Sequence, residues 1–159
     1  AARRLAEQAL AIREKALGQD HPRVADSLAS LAILDRMAGD LGPARVRLER
    51  ALAIVLAALG PDHPEHARLL ASLAELDLAE QRPDRALTGL ERALAIYAAD
   101  PEVPDGELHT RFLLARALRA SGGDPARARA SALQARDGLR ARSSTRRLPE
   151  IDAWLAAHP

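Results

Sequence analysis

The residues ALAIREKALGQDHP at 9–22 return as ALAIVLAALGPDHP at 51–64, and ALAIYA at 93–98 opens the phrase a third time. The offset is 42 residues in each case. A fixed period of this length marks a chain built from stacked supersecondary units, each unable to bury its apolar face alone. In the unit that begins at Ala25, Leu28, Leu31 and Ala32 fall on one helical face. Gly39-Asp40 breaks that helix, and a second one carries Ala44, Leu48, Ala51, Leu52 and Ile54. The next unit repeats the pattern with Leu70, Leu73 and Ala74, then Ala86, Leu90, Ala93, Leu94 and Ile96. Small residues at 32, 44 and 51, and at 74, 86 and 93, allow close approach of paired helices while the leucines fill the space between them.

The punctuation fits helical hairpins. Asp20 and Asp62 are expected as N-caps, with Pro22 and Pro64 in the first turn, where a missing N–H costs little. Gly39 and Gly122-Gly123 suit the turns between helices. The third unit is degenerate: Phe112, Leu114 and Ala115 follow the second unit at an offset of 41, and Ala128 and Ala135 recover 42. Arg136 and Gly138 stand where earlier units have Leu and Ile. After Pro149, Ile151, Trp154 and Leu155 share one side of a short capping helix. The predicted map is a lone helix over 1–17, pairs at 22–38 with 41–59, 64–80 with 83–98 and 106–121 with 124–142, and a cap at 149–157. In repeats, these are a truncated unit at 1–17, then 22–59, 64–98 and 106–142, forming one domain over 1–159. Because the sequence opens inside a second helix, it is expected to be part of a longer chain.

Composition supports an all-α protein: 48% of the 159 residues are hydrophobic, chiefly Ala and Leu, and Tyr97, Phe112 and Trp154 are the sole aromatics. Of 23 basic residues only Lys15 is lysine, which together with the Ala, Leu, Gly and Pro usage reads as a high-GC bacterial coding bias. A net charge of +1 gives no global pull toward nucleic acid or membrane, and the lack of cysteine excludes disulfides and thiolate metal sites. No apolar run is long enough to span a bilayer, and a cytoplasmic location is expected. No phosphate loop, GxSxG or HExxH motif is present, so neither catalysis nor a cofactor is expected.

With its small-apolar-turn-small order, the sequence resembles the tetratricopeptide repeat. The phrase ALAI…LGxDHP followed by LAxL and GD is similar to the 42-residue kinesin-light-chain type. The resemblance covers about residues 1–142. It implies a right-handed α-α superhelix whose first helices line a concave groove for a peptide or partner helix. Carried over by register, the groove positions are Asp26, Ala29, Ile33, Arg36 and Met37 in the first unit. In the second they are Arg68, Ala71, Glu75 and Leu78, and in the third His109, Phe112, Arg116 and Arg119. Two recognition devices do not transfer. The Asn pair of the kinesin-light-chain pattern is replaced by Ala29-Ser30, Ala71-Ser72 and Phe112-Leu113. The Lys/Asn set that grips a terminal carboxylate in chaperone-tail binders is also missing.

The resemblance thus points to a non-catalytic scaffold binding a protein or peptide. Phe112, Ile33 and Leu78 are the expected apolar contacts, and Arg68, Arg116 and Arg119 the expected anchors, since guanidinium forks suit carboxylates or phosphates. The same arginines could instead pair with Asp26, Glu75 or Asp77. An alternative role is oligomerisation, or docking as the arm of a larger bacterial signalling protein such as a kinase or switch ATPase, through the exposed Leu5, Ala6, Leu10 and Ile12 of the first helix. The basic stretch from Arg127 to Arg147 suggests either a solvated face or an acidic partner, and without interleaved aromatics it fits nucleic acid poorly. His21 and His63 occupy equivalent entry turns. His63 and His66 have an i,i+3 spacing but no third metal ligand. Asp35 and Asp77, where repeats of this type usually have an aromatic, are expected to be hydrogen-bonded or surface carboxylates.

Overall fold

The computed structural model describes residues 2–99 and 105–159. These form α1 (Ala2–Leu17), α2 (Pro22–Ala38), α3 (Leu41–Leu59), α4 (Pro64–Ala79), α5 (Pro83–Ala98), α6 (Asp105–Ala120), α7 (Pro125–Ala141) and α8 (Leu148–Ala157). No strand occurs among the described residues. The principal packing is within the hairpins α2–α3, α4–α5 and α6–α7. Each hairpin then stacks on the next through α3–α4 and α5–α6, with α1 and α8 at the two ends. The alanines predicted at the helix crossings, Ala32, Ala44, Ala51, Ala74, Ala86 and Ala93, are all 2% exposed or less, so backbones meet closely there. Leu28, Leu48, Leu69 and Leu76 fill one core segment, and Leu90, Leu113, Leu114 and Leu118 the next. Each fully buried leucine contributes about 1.5–3 kcal/mol.

The helix entries correct one expectation. The N-caps of α2 and α4 are His21 and His63, not Asp20 and Asp62. Each imidazole Nδ1 accepts the backbone N–H two residues on, from Arg23 and from Glu65, at 3.1 Å. Proline at N1 fixes the start of the helix immediately after the histidine, which leaves the aspartate one residue too far out. His66 is used as well: its Nδ1 donates to the carbonyl of Pro61 at 2.7 Å.

The turns within hairpins share one geometry. Gly39, Gln81 and Gly122 occupy equivalent places and all have left-handed φ, at 85°, 59° and 72°. The following N–H reaches back to a carbonyl of the finished helix in each case: Asp40 to Asp35, Arg82 to Asp77 and Gly123 to Leu118, at 2.7–2.9 Å.

Between hairpins, Asp35 and Asp77 are hydrogen-bonded carboxylates. Asp35, fully buried, receives Arg3 of α1 and Arg47 of α3. Asp77 receives Arg45 of α3 at 2.5 Å, and Arg45 also holds Glu80 at 2.5 Å. Arg3–Asp35 and Arg45–Asp77 are the same pair one repeat apart. At the third junction those positions hold Leu87 and Leu118, which share one apolar cluster. An ion pair and an apolar pair thus fill equivalent sites, in keeping with the small net worth of a buried ion pair relative to well-packed apolar residues.

The degenerate third unit has a packing reason. A Cβ at Gly138 would lie 2.5 Å from Leu108 Cδ2, so the isoleucine of earlier units cannot stand there while Leu108 is packed against α7. Ile151 and Leu155 of α8 are buried on the end of the stack. Arg129 Nη1 donates to the carbonyls of Leu155 at 3.2 Å and His158 at 2.7 Å, placing a guanidinium on the C-terminal end of α8.

Candidate functional site

Viewed along the stack, α2, α4 and α6 form one wall, joined side to side by polar contacts. Arg36 of α2 pairs with Glu75 of α4 at 3.0 Å, and His109 Nε2 of α6 donates to the other Glu75 oxygen at 2.6 Å. Arg68 of α4 holds Glu65 at 2.7 Å and approaches Asp26 of α2 at 3.7 Å. Burial opposes ionisation of Glu75, but the hydrogen bond from His109 and the charges of His109, Arg36 and Arg147 outweigh it. The carboxyl is therefore held below the usual carboxylate range. Glu75 ties all three first helices together.

Toward the C-terminal end the wall meets the start of α8. Arg36, Glu75, Leu78, Arg116, Arg147 and Glu150 surround a cavity of about 300 Å³. Three guanidiniums face two carboxylates there, and Arg116–Glu150 is loose at 3.8 Å. Ile33 and Met37 of α2, on the same wall as Arg36, are 44% and 74% exposed. An arrangement of this kind can take a carboxylate or phosphate beside an apolar side chain.

The structure therefore brings Ile33, Arg36, Met37, Glu75, Leu78, His109 and Arg116 to one wall, with Asp26 and Arg68 further along it. Three expectations are corrected. Phe112 is 1% exposed, because Trp154 of α8 meets its ring edge to face at 6.1 Å between centroids, so it is a core residue rather than a surface contact. Ala29 and Ala71 are likewise buried, at 2% and 6%. Arg119 lies in a different cavity of about 230 Å³ with Pro125, Arg129, Trp154 and His158. Arg68, Arg116 and Arg119 are thus not one anchor set.

Arg147 and Glu150 join the wall although repeat register does not point to them. In the sequence Arg147 belongs to the basic stretch, and nothing local to it signals that the turn into α8 reaches the wall. Within that stretch Arg127 pairs with Glu91, Arg136 with Asp137 and Arg140 with Asp152, all at 2.8–3.1 Å. Together with Arg129 on the end of α8, these arginines are engaged inside the chain.

The tetratricopeptide repeat model matches residues 1–57 and 44–99, which together cover more than half of the sequence. The chain belongs to the tetratricopeptide repeat family. Among solved structures, BtubC (BKLC) from P. vanneervenii superposes with a TM-score of 0.77 at 24% identity, covering 89% of this chain and 56% of its own. The nearly identical TPR-like repeats of a Podospora anserina putative kinesin light chain superpose in two crystal structures, one of them of a point variant. The variant gives a TM-score of 0.75 at 26% identity, covering 99% of this chain, and the other gives 0.70 at 26%, covering 94%. Each is covered over 75% of its own length. This tetratricopeptide repeat chain is thus a kinesin-light-chain-like right-handed superhelix that spans little over half of the first of those relatives. No curated protein matches it significantly by sequence. The family's repeats generally serve as protein-interaction scaffolds and are generally non-catalytic. No described helix is long and apolar enough to cross a membrane.

Proposed function

We propose that this tetratricopeptide repeat protein is a non-catalytic cytoplasmic adaptor whose concave wall holds an extended segment or helix of a partner protein. One observation supports this most directly: Arg36, Arg116 and Arg147 converge on a single cavity, on the wall that exposes Ile33 and Met37. The matching ligand has an acidic side chain flanked by apolar ones. The carboxylate displaces the loose Glu150 from Arg116, while the apolar residues cover Met37, Ile33 and Leu78. Glu75, held by two partners, stays in place and orients Arg36.

The test is selection from a random-peptide display library, followed by titration of the enriched peptides. Acidic peptides with apolar flanks are expected, binding the parent chain but not Arg116→Glu or Met37→Asp. Peptides that bind both variants as tightly as the parent would sink the groove assignment.

A second reading has its own support. Of the residues expected on the open face of α1, Leu10 instead packs on the core beside Leu28 and Leu48. Leu5 and Ile12, however, are 65% and 67% exposed, whereas Ile54 and Ile96, which repeat Ile12 at 42-residue intervals, are 5% and 2% exposed. Ile54 and Ile96 lie against the first helix of their own hairpin, and among the described residues no such helix lies on α1. This face suits a second copy, or another part of a larger bacterial signalling protein. Light scattering over a concentration series separates the two: mass that rises with concentration supports self-association, and a constant monomer mass rules it out.

A further inference from the structure

On the side of the stack away from the concave wall, α3 and α5 part above α4, leaving a cavity of about 420 Å³. Seven of its ten lining residues repeat those of an earlier junction. Arg45, Glu49, Leu73 and Asp77 stand where Arg3, Glu7, Leu31 and Asp35 stand one repeat before. The differences are all on α5, where Arg85, Thr88 and Gly89 replace Pro43, Val46 and Arg47, and the last of these removes a side chain from the space. At the earlier junction Arg47 fills the space, with its guanidinium on Asp35 Oδ2 and 3.8 Å from Glu7. Arg3 takes Asp35 Oδ1. At the later junction Arg45 takes Asp77 Oδ1 in the same way, and Asp77 Oδ2 is the counterpart of the atom that receives Arg47.

We propose that this cavity is a socket for an arginine side chain presented by a partner protein. The neighbouring repeat shows the bound geometry within the same chain. Asp77, 6% exposed, supplies a fixed carboxylate at the base, and Glu49 corresponds to the rim carboxylate Glu7. Leu52 and Leu73 line the path for the methylenes. Arg85 adds a positive charge at the cavity wall, where the guanidiniums of Arg45 and Arg85 balance the carboxylates of Glu49 and Asp77, and Arg45 is held further by Glu80. A planar guanidinium can engage Asp77 and Glu49 together, whereas a lysine ammonium is a point charge with a stronger hydration shell. The socket opens opposite the concave wall, so it is independent of the groove described above.

The test is a proton–nitrogen NMR titration of the full chain with N-acetyl-arginine amide, and in parallel with N-acetyl-lysine amide. Saturable shifts centred on the amides of Asp77, Thr88 and Gly89 are expected with the arginine compound, and weaker ones with the lysine compound. Gly89→Ala keeps the cavity, since an added Cβ meets nothing nearer than the Leu70 carbonyl at 3.7 Å, and it should keep the response. Gly89→Arg supplies the side chain in place: the response should vanish, and this variant should melt above Gly89→Ala. The proposal is overturned by shifts confined to the concave wall or absent from Gly89, by equal response to both amides, or by a response that survives in Gly89→Arg. A Gly89→Arg chain that melts below Gly89→Ala overturns it equally, because the side chain then finds no counterpart of the Arg47 site.

Discussion

At the scale of single residues, Gln81 is the clearest local conflict between sequence and backbone. Its φ of 59° is the left-handed value that Gly39 and Gly122 supply at the equivalent turns. A side chain there costs roughly 1–2 kcal/mol, against about 0.5–1 kcal/mol for the extra freedom glycine has in the unfolded chain. Gln81→Gly should therefore stabilise the protein by roughly 0.5–1 kcal/mol, read as a higher urea midpoint with an unchanged slope. An unchanged or lower midpoint would mean that Gln81 compensates through a contact of its own. Residues of this kind mark the limit of what sequence shows. Gly39 and Gly122-Gly123 announce their turns, but Gln81 is placed there by repeat register alone. The same limit put the N-cap at Asp20 and Asp62, because aspartate is the commoner cap and nothing in the letters says that the histidine is one residue better placed.

Between elements, the junctions offer a natural comparison, since Arg45–Asp77 and Leu87–Leu118 do the same job with opposite chemistry. Breaking a buried pair from one side leaves a charge without compensation, and that typically costs about 3–5 kcal/mol. The two sides are not equal here. Arg45→Leu leaves Asp77 with no guanidinium, whereas Asp77→Leu leaves Arg45 its bond to Glu80. Arg45→Leu should be the more destabilising single change, and Arg45→Leu with Asp77→Leu should recover most of the loss, as a double-mutant cycle in urea would show. A double variant as unstable as the sum of its singles would refute the equivalence of the junctions. Helix positions were legible because ALAI, LGxDHP and the spaced alanines encode local periodicity. The placement of α8 was not. Ile151, Trp154 and Leu155 announce an apolar face, but that it closes over Phe112, separates Arg119 from Arg116 and delivers Arg147 to the wall depends on contacts between distant segments. No local pattern carries that information.

At the scale of the whole molecule, the three first helices meet at Glu75. It is the residue through which α2, α4 and α6 share charge, by way of Arg36 and His109. Repeat register puts Glu75 on the groove face, but its hub role requires Arg36 and His109 to arrive from two other repeats. Its carboxyl is held below the ordinary range in the folded chain, so the native state favours the ionised form more than the unfolded chain does. The sign follows directly. The stabilisation is complete above the unfolded value of about 4.3 and is lost as pH falls through the lower folded value. Glu75→Gln removes the charge but keeps an acceptor for His109, so it should be less stable than the parent at about pH 7. The gap should narrow below about pH 4.3 and close once both chains carry a neutral group at this position. Urea midpoints of the two proteins, measured side by side down the acid limb, give the answer. A gap that stays constant into the acid range would assign Glu75 a packing role and leave the three first helices held together by the apolar core alone.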